Sequence, residues 1–286
     1  MTRIALLTII LSVIGLSAFA KKPKADYPRA EIKVSYNYHK KSVRSDNSAV
    51  EFKIPFILLA NSSQSKFYCP STERLDSLTS TPSGRAQERI MFDAAVKSYV
   101  ENKDRSAMDG VTYRTQLYVT KDYAKAISTT YDKAGLGEHG YYDEPFSEID
   151  WRIVEDSTKT VLGYECLMAK ADYHGRDWTA WLAPEIPIHD GPWKLCGLPG
   201  LILEASEAKG HHIFVADGIE RSNQPIYSIF SKDKYTEMDR IEMLKSERNY
   251  RDNSNSMAKA ATGGKLDLGP DAPPQREYDF LETDYR

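Results

Sequence analysis

Apolar and polar positions alternate along much of this chain. In EIKVSYNYHK (31–40), Ile32, Val34, Tyr36 and Tyr38 share one face, the period of a half-buried strand. KIPFILLA (53–60) and SKFYC (65–69) predict two more short strands around an Asn-Ser-Ser turn, and Pro55 argues against a central place for the first. VTYRTQLYVT (111–120) and IDWRIVED (149–156) alternate again. Beyond an expected STKT turn, VLGYECLMAKADYH (161–174) reads as a strand, and Gly175-Arg176 turns the chain into DWTAWLAPEIPI. LILEASEA and HHIFVADGIE follow as two more strands, parted by a Lys209-Gly210 turn. Short strands joined by tight turns predict an antiparallel meander, because parallel neighbours need long crossovers.

Helical spacing replaces alternation twice. STPSGRAQERIMFDAAVKSYVENK carries Ile90, Ala94, Val96 and Tyr99 near that period, with Ser80-Thr81-Pro82 as an entry signal. KYTEMDRIEMLKSERNYRDNSNSMAKAA (234–261) aligns Met238, Ile241 and Leu244 on one stripe. Residues 132–148, with several Gly and a Pro, read as a loop. The expected fold is α+β: a curved antiparallel sheet with helices near 84–103 and 234–258 packed on one face. It would fill one domain, 31–262, between a charged, Pro-broken flexible leader (21–30) and an extended Gly/Pro-rich tail (263–286).

The first twenty residues change the picture of where the chain works. Arg3, the apolar run Ile4 to Leu16 and Ala18-Phe19-Ala20 have the order of a secretory signal peptide, cleaved near Ala20. The expected location is the periplasm or the exterior, with no transmembrane span in the mature chain. The full chain has 38 Lys and Arg against 41 Asp and Glu, a net charge of −3, and losing Arg3 makes it −4. That balance argues against a nucleic-acid partner, which needs a concentrated basic face. An exported chain can oxidise its cysteines. Cys166–Cys196 is the preferred disulfide, both lying in the β-rich centre, with Cys69 left over; three buried reduced thiols is the alternative that spacing leaves open.

The densest signal is PWKLCGLPGLILE (192–204). Gly197 and Gly200 permit positive φ, Pro199 fixes its own φ, and a Pro-Gly pair suits the centre of a type II turn. These three residues are expected to form a structural turn. With Gly191-Pro192 before it, GLPGLIL resembles the signature of the GLPGLI family of exported Bacteroidetes proteins. GYEC (163–166), KA (170–171), GR (175–176), AW (180–181) and EIPI (185–188) support the resemblance in family order. It implies a signal-bearing exported chain and no particular activity. A Cys before GLPG departs from the family's usual pattern, which would make any disulfide through Cys196 particular to this chain.

Candidate chemistry is sparse. No P-loop, GxSxG, HExxH or CxxC occurs, and no catalytic residue, metal site or cofactor is assigned. Adjacent strand residues His211 and His212 would point to opposite faces. Trp178, Trp181 and Trp193 cluster, and Arg176, Trp181, Pro184 and Trp193 form the candidate ligand-binding group, suited to a hydrophobic, peptide or sugar ligand. The leading expectation is a non-enzymatic binding or carrier protein of the cell envelope. An accessory factor for an outer-membrane partner comes second, and an unrecognised hydrolase third.

Overall fold

The computed structural model describes residues 27–43, 48–102, 104–253, 256–257 and 278–285. The signal-peptide segment, residues 21–26 of the leader and most of the tail lie outside these residues.

One chain-order rule builds the sheet. The strands β1 (Ile32–Val43), β2 (Ala49–Ala60), β3 (Gln64–Tyr68), β4 (Tyr118–Asp122), β5 (Ile127–Lys133) and β6 (His139–Pro145) form one antiparallel meander. A second meander comprises β7 (Arg152–Val161), β8 (Tyr164–Tyr173), β9 (Arg176–Ala183), β10 (Leu201–Glu207) and β11 (His212–Arg221). The two are joined where β11 pairs antiparallel with β1, Tyr38 opposite Phe214. A two-residue strand, β12 (Thr236–Glu237), adds parallel to β6, giving twelve strands among the described residues in the order β12-β6-β5-β4-β3-β2-β1-β11-β10-β9-β8-β7.

That order requires strong curvature. Strands β6 and β7 lie ten positions apart, about 48 Å across a flat sheet at roughly 4.8 Å per strand. Only seven peptide steps join Pro145 to Arg152, a reach of about 25 Å at most. The sheet therefore curls toward closure without closing, and its concave face encloses the main core. Inward rows such as Val34, Tyr36 and Tyr38 on β1 meet Phe56, Leu58, Phe67, Trp178 and Phe214 there.

The expected α+β layering is corrected by this architecture. The sheet is mixed and dominates the fold, and among the described residues no helical layer covers one face. Helix α1 (Pro70–Thr79) serves the outer face, where its buried Asp76 accepts from Tyr118 Oη at 2.8 Å. Leu59, Tyr118, Tyr131 and Tyr235 form a second, smaller core on that side. Helix α2 (Pro82–Asn102) packs on α1 and on the short helical turn Arg105–Gly110 instead of the sheet, and Ile90 is 70% exposed. Helix α3 (Arg240–Asp252) starts at the Asp239 cap and covers the β6 end of the interior.

Local departures have local causes. Residues 132–148, expected as a loop, hold all of β6 and the end of β5, because the Gly-rich turn at 134–138 joins two strands. The β7–β8 turn sits at Leu162-Gly163 (φ 50° and 87°), both positive as a two-residue hairpin turn requires, so β7 runs on through the expected STKT turn. A bulge between Val154 and Thr158 absorbs the register. Pro55 does sit in an interior strand. However, β3 pairs only with Ile57–Ala60, so Pro55 has a neighbouring strand on one side only.

Candidate functional site

The segment between β9 and β10 passes through the interior of the curled sheet. Asp190 to Cys196 are all buried, although they include an aspartate and a lysine. Burying such charges demands partners. Lys121 of β4 reaches inward and donates to Asp190, and both side chains are fully buried. Asp190 also accepts from Tyr123 Oη at 2.7 Å and from Gly191 N–H at 2.7 Å, while Lys121 donates to the carbonyls of Gly191 (3.2 Å) and Leu195 (3.4 Å). Trp151 Nε1 donates to Cys196 O at 2.8 Å. A Cβ on Gly191 would stand 2.7 Å from Ile202 Cβ, so the close fit needs glycine.

The GLPG end is a turn, of a tighter kind than expected. Gly200 N–H donates to Leu198 C=O at 2.8 Å, a three-residue turn centred on Pro199 in place of a type II turn. Gly200 has φ 154°, and a Cβ there would stand 2.4 Å from Ala183 O and 2.9 Å from Pro184 Cα. Gly197 has φ 89° with open space around it.

Lys194 carries the opposite end of the buried segment. Its ammonium donates to Glu144 of β6 and, at 2.6 Å, to Glu282 of the C-terminal segment. His174, in the β8–β9 turn, faces Glu144 (3.0 Å) and Asp284 (3.2 Å) with its two ring nitrogens. Arg240 bridges Glu282 and Asp284, each at 2.7 Å. Burial pushes the Glu144 carboxyl up, but the His174 hydrogen bond and the Lys194 charge outweigh it and hold it at about 2. Asp284 is likewise held at about 2, burial being outweighed by Arg240 and His174. Glu144, His174 and Glu282 bring three ligand-type atoms within 4.8 Å of one another. The set is built around the Lys194 ammonium, with Arg240 alongside, and two fixed cations there oppose a metal ion.

A third cluster fastens the C-terminal residues. Arg176 donates to Glu207 (3.3 Å), Asp279 (2.5 Å) and Leu281 O (2.9 Å). Asp279 also meets His211 Nδ1 (2.9 Å) and His212 Nε2 (3.4 Å). The two histidines share a partner because His211 lies in the turn before β11, where strand alternation does not apply.

Beside Glu282 of the Lys194 cluster lies a cavity of about 420 Å³. Its apolar wall includes Phe56, Ile54, Leu117, Trp193, Leu244 and Leu281, from the sheet, the buried segment, α3 and the C-terminal residues. Its polar lining includes Lys40, Asp132, Glu247 and Arg251. Burial and the nearby Arg251 lower Lys40 to about 8. Burial raises Asp132 to about 7, against the Lys133 backbone hydrogen bond that lowers it. Strongly displaced groups in a cavity mark a functional-site candidate.

Of the expected binding group, Trp193 lines this cavity, buried and packed on Tyr173 and Trp178. Arg176 holds the C-terminal segment and borders a second, more polar cavity. Trp181 lies under Lys159, 4.5 Å from ring centroid to ammonium, and Pro184 is exposed; neither lines the first cavity. Cys69, Cys166 and Cys196 stand as buried free thiols, and burial pushes Cys196 up to about 12. Sequence reading missed Lys40, Asp132, Glu144 and Lys194. Lys40 had a signal: it continues the inward row after Tyr38, a charge in a core-facing register.

The site is thus a part-apolar, part-charged cavity walled by a curled sheet and an internal loop. Residues 173–204, which comprise β9 and that loop, match the model of a family described as "Protein of unknown function (Porph_ging)". No curated protein matches the chain. Two solved structures of PNGF-II, in the P21 and C2 space groups, are similar at 13% identity, with TM-scores of 0.49 and 0.47. They cover 78% and 77% of this chain, which spans about a third of theirs (34% and 33%).

Proposed function

We propose that this chain is a non-enzymatic binding or carrier protein whose ligand, a small amphipathic molecule, occupies the cavity beside Trp193. The supporting observation is the cavity itself: about 420 Å³, inside the usual range for ligand pockets, with an aromatic wall and a charged end. Export to the periplasm or beyond, and kinship with GLPGLI-type proteins, belong to the same reading. The GLPGLI run at 197–202 falls within the matched residues 173–204, and the N-terminal pattern supplies the leader.

The test is a fluorescent amphiphile such as anilinonaphthalene sulfonate, titrated into folded protein. Saturable binding at one equivalent, with quenching of tryptophan emission, is expected. Ile54→Trp, which adds bulk to the cavity wall, should abolish it. Saturable binding that Ile54→Trp leaves untouched would place the ligand elsewhere and refute the reading.

A further inference from the structure

Four of the cavity's charges come together from three separate elements, while Glu282, paired with Lys194 and Arg240, also lines it. On β1 the inward row passes from Tyr38 to Lys40; on β5 it passes from Thr130 to Asp132. On α3, Met243 and Leu244 are followed one and two turns later by Glu247 and Arg251. Arg251 and Asp132 both act on Lys40, and Glu247 and Arg251 both act on Asp132, so the four lie close together. Across the sheet, Lys40 pairs with Phe52, Tyr38 with Ile54 and Tyr36 with Phe56, which takes the wall from charged to fully apolar in two steps.

Within that end the charges are unevenly matched. Arg251 Nε is satisfied by Glu247 at 2.5 Å. Lys133 rests over the Tyr250 ring at 5.0 Å, and Arg114 pairs with Asp109 at 3.1 Å. Asp132 accepts from Lys133 N–H at 2.8 Å. Lys40 makes no hydrogen bond or ion pair among the described residues, though it lines the cavity and is half-buried. A half-buried ammonium that Asp132 and Asp279 act on without a direct ion pair has room for an anionic partner.

We infer that the cavity's ligand is an anionic amphiphile of the carboxylate type, its head group on Lys40 and its apolar body directed toward Phe56 and Trp193. The inference rests on the cavity-binding reading above. The cavity's volume of about 420 Å³ lies within the usual range for pockets that hold a small molecule of this kind.

The probes are dodecanoate, dodecan-1-ol and dodecylammonium, titrated into the purified protein at pH 6.5 with tryptophan fluorescence as the readout. Dodecanoate is expected to bind at least about tenfold tighter than the alcohol, with the ammonium weakest. Lys40→Met should weaken dodecanoate about tenfold and leave the alcohol within about twofold. Dodecanoate affinity should also fall as pH rises, because Asp132 gains its charge and Lys40 loses its own. The other charges facing these two groups are Lys133, Glu247, Arg251, Arg176 and Asp279. Asp132→Asn should remove the lower part of that fall. Equal binding of alcohol and carboxylate, or preference for the ammonium, overturns the anionic inference and spares the cavity reading. Failure of all three probes overturns both, and the comparison on unsubstituted protein holds even if Lys40→Met misfolds.

Discussion

Asp190→Asn tests whether the internal loop is pinned by charge. In the folded protein Lys121 and Asp190 are both fully buried, and water cannot replace either partner. The substitution leaves the Lys121 ammonium with two carbonyl contacts, at 3.2 and 3.4 Å, and takes the charged acceptor from Tyr123. Breaking a buried pair from one side costs about 3–5 kcal/mol. For a chain of this size each kcal/mol moves Tm by about 2–4 °C, so a fall of about 10 °C is expected. Lys121→Met should cost a similar amount, and the double variant less than the sum, by about 2 kcal/mol. Urea unfolding of the four proteins measures this cycle. Losses below about 1 kcal/mol in both single variants, adding without coupling, would refute the view that this pair holds the loop.

Gly200→Ala should destabilise by about 3 kcal/mol or more, because its Cβ meets backbone atoms of Ala183 and Pro184 that cannot yield, whereas Gly197→Ala should cost only about 1–2 kcal/mol in open space; thermal melts that rank them the other way would contradict the assignment. Acid sensitivity follows from Glu144 and Asp284, whose folded values of about 2 lie below the ordinary 4.5 and 3.8, so their stabilisation is full above those ordinary values and is lost as pH falls toward 2. Asp132 has the opposite sign: held near 7 against an ordinary 3.8, it costs stability as pH rises through that interval. Asp132→Asn should therefore raise the urea midpoint at pH 8 and change it little at pH 4, and a lowered midpoint at pH 8 would contradict the burial argument. Thiol titration should find no reactive cysteine in native protein and three after denaturation without reductant; only one after denaturation would establish a disulfide.

Much of the sheet was legible because its rows alternate cleanly. Ile32 to Tyr38 and the strands from 161 to 220 bury one face, and period-two patterning reports that directly. Strands β5 and β6 were hidden by the Gly-rich turn between them and by inward Thr130, Asp132 and Glu144, polar residues whose partners come from distant segments. Helix α2 shows the reverse error: its helical period was real, yet tertiary contact leaves Phe92, Val96 and Tyr99 at the surface. For the site, Trp193 was within reach of sequence reading. Lys194 was not, because its meaning depends on Glu144 and Glu282, 50 and 88 positions away. The loop's passage through the core likewise depends on Lys121, which only the curled sheet brings to Asp190.

The central claim is that the cavity beside Trp193 holds a ligand, and native mass spectrometry of gently purified protein tests it most directly. The account predicts a native mass above the denatured mass by one small molecule of carboxylate type, lost when the cavity is filled by Ile54→Trp. A bare native mass that dodecanoate fails to shift would contradict it.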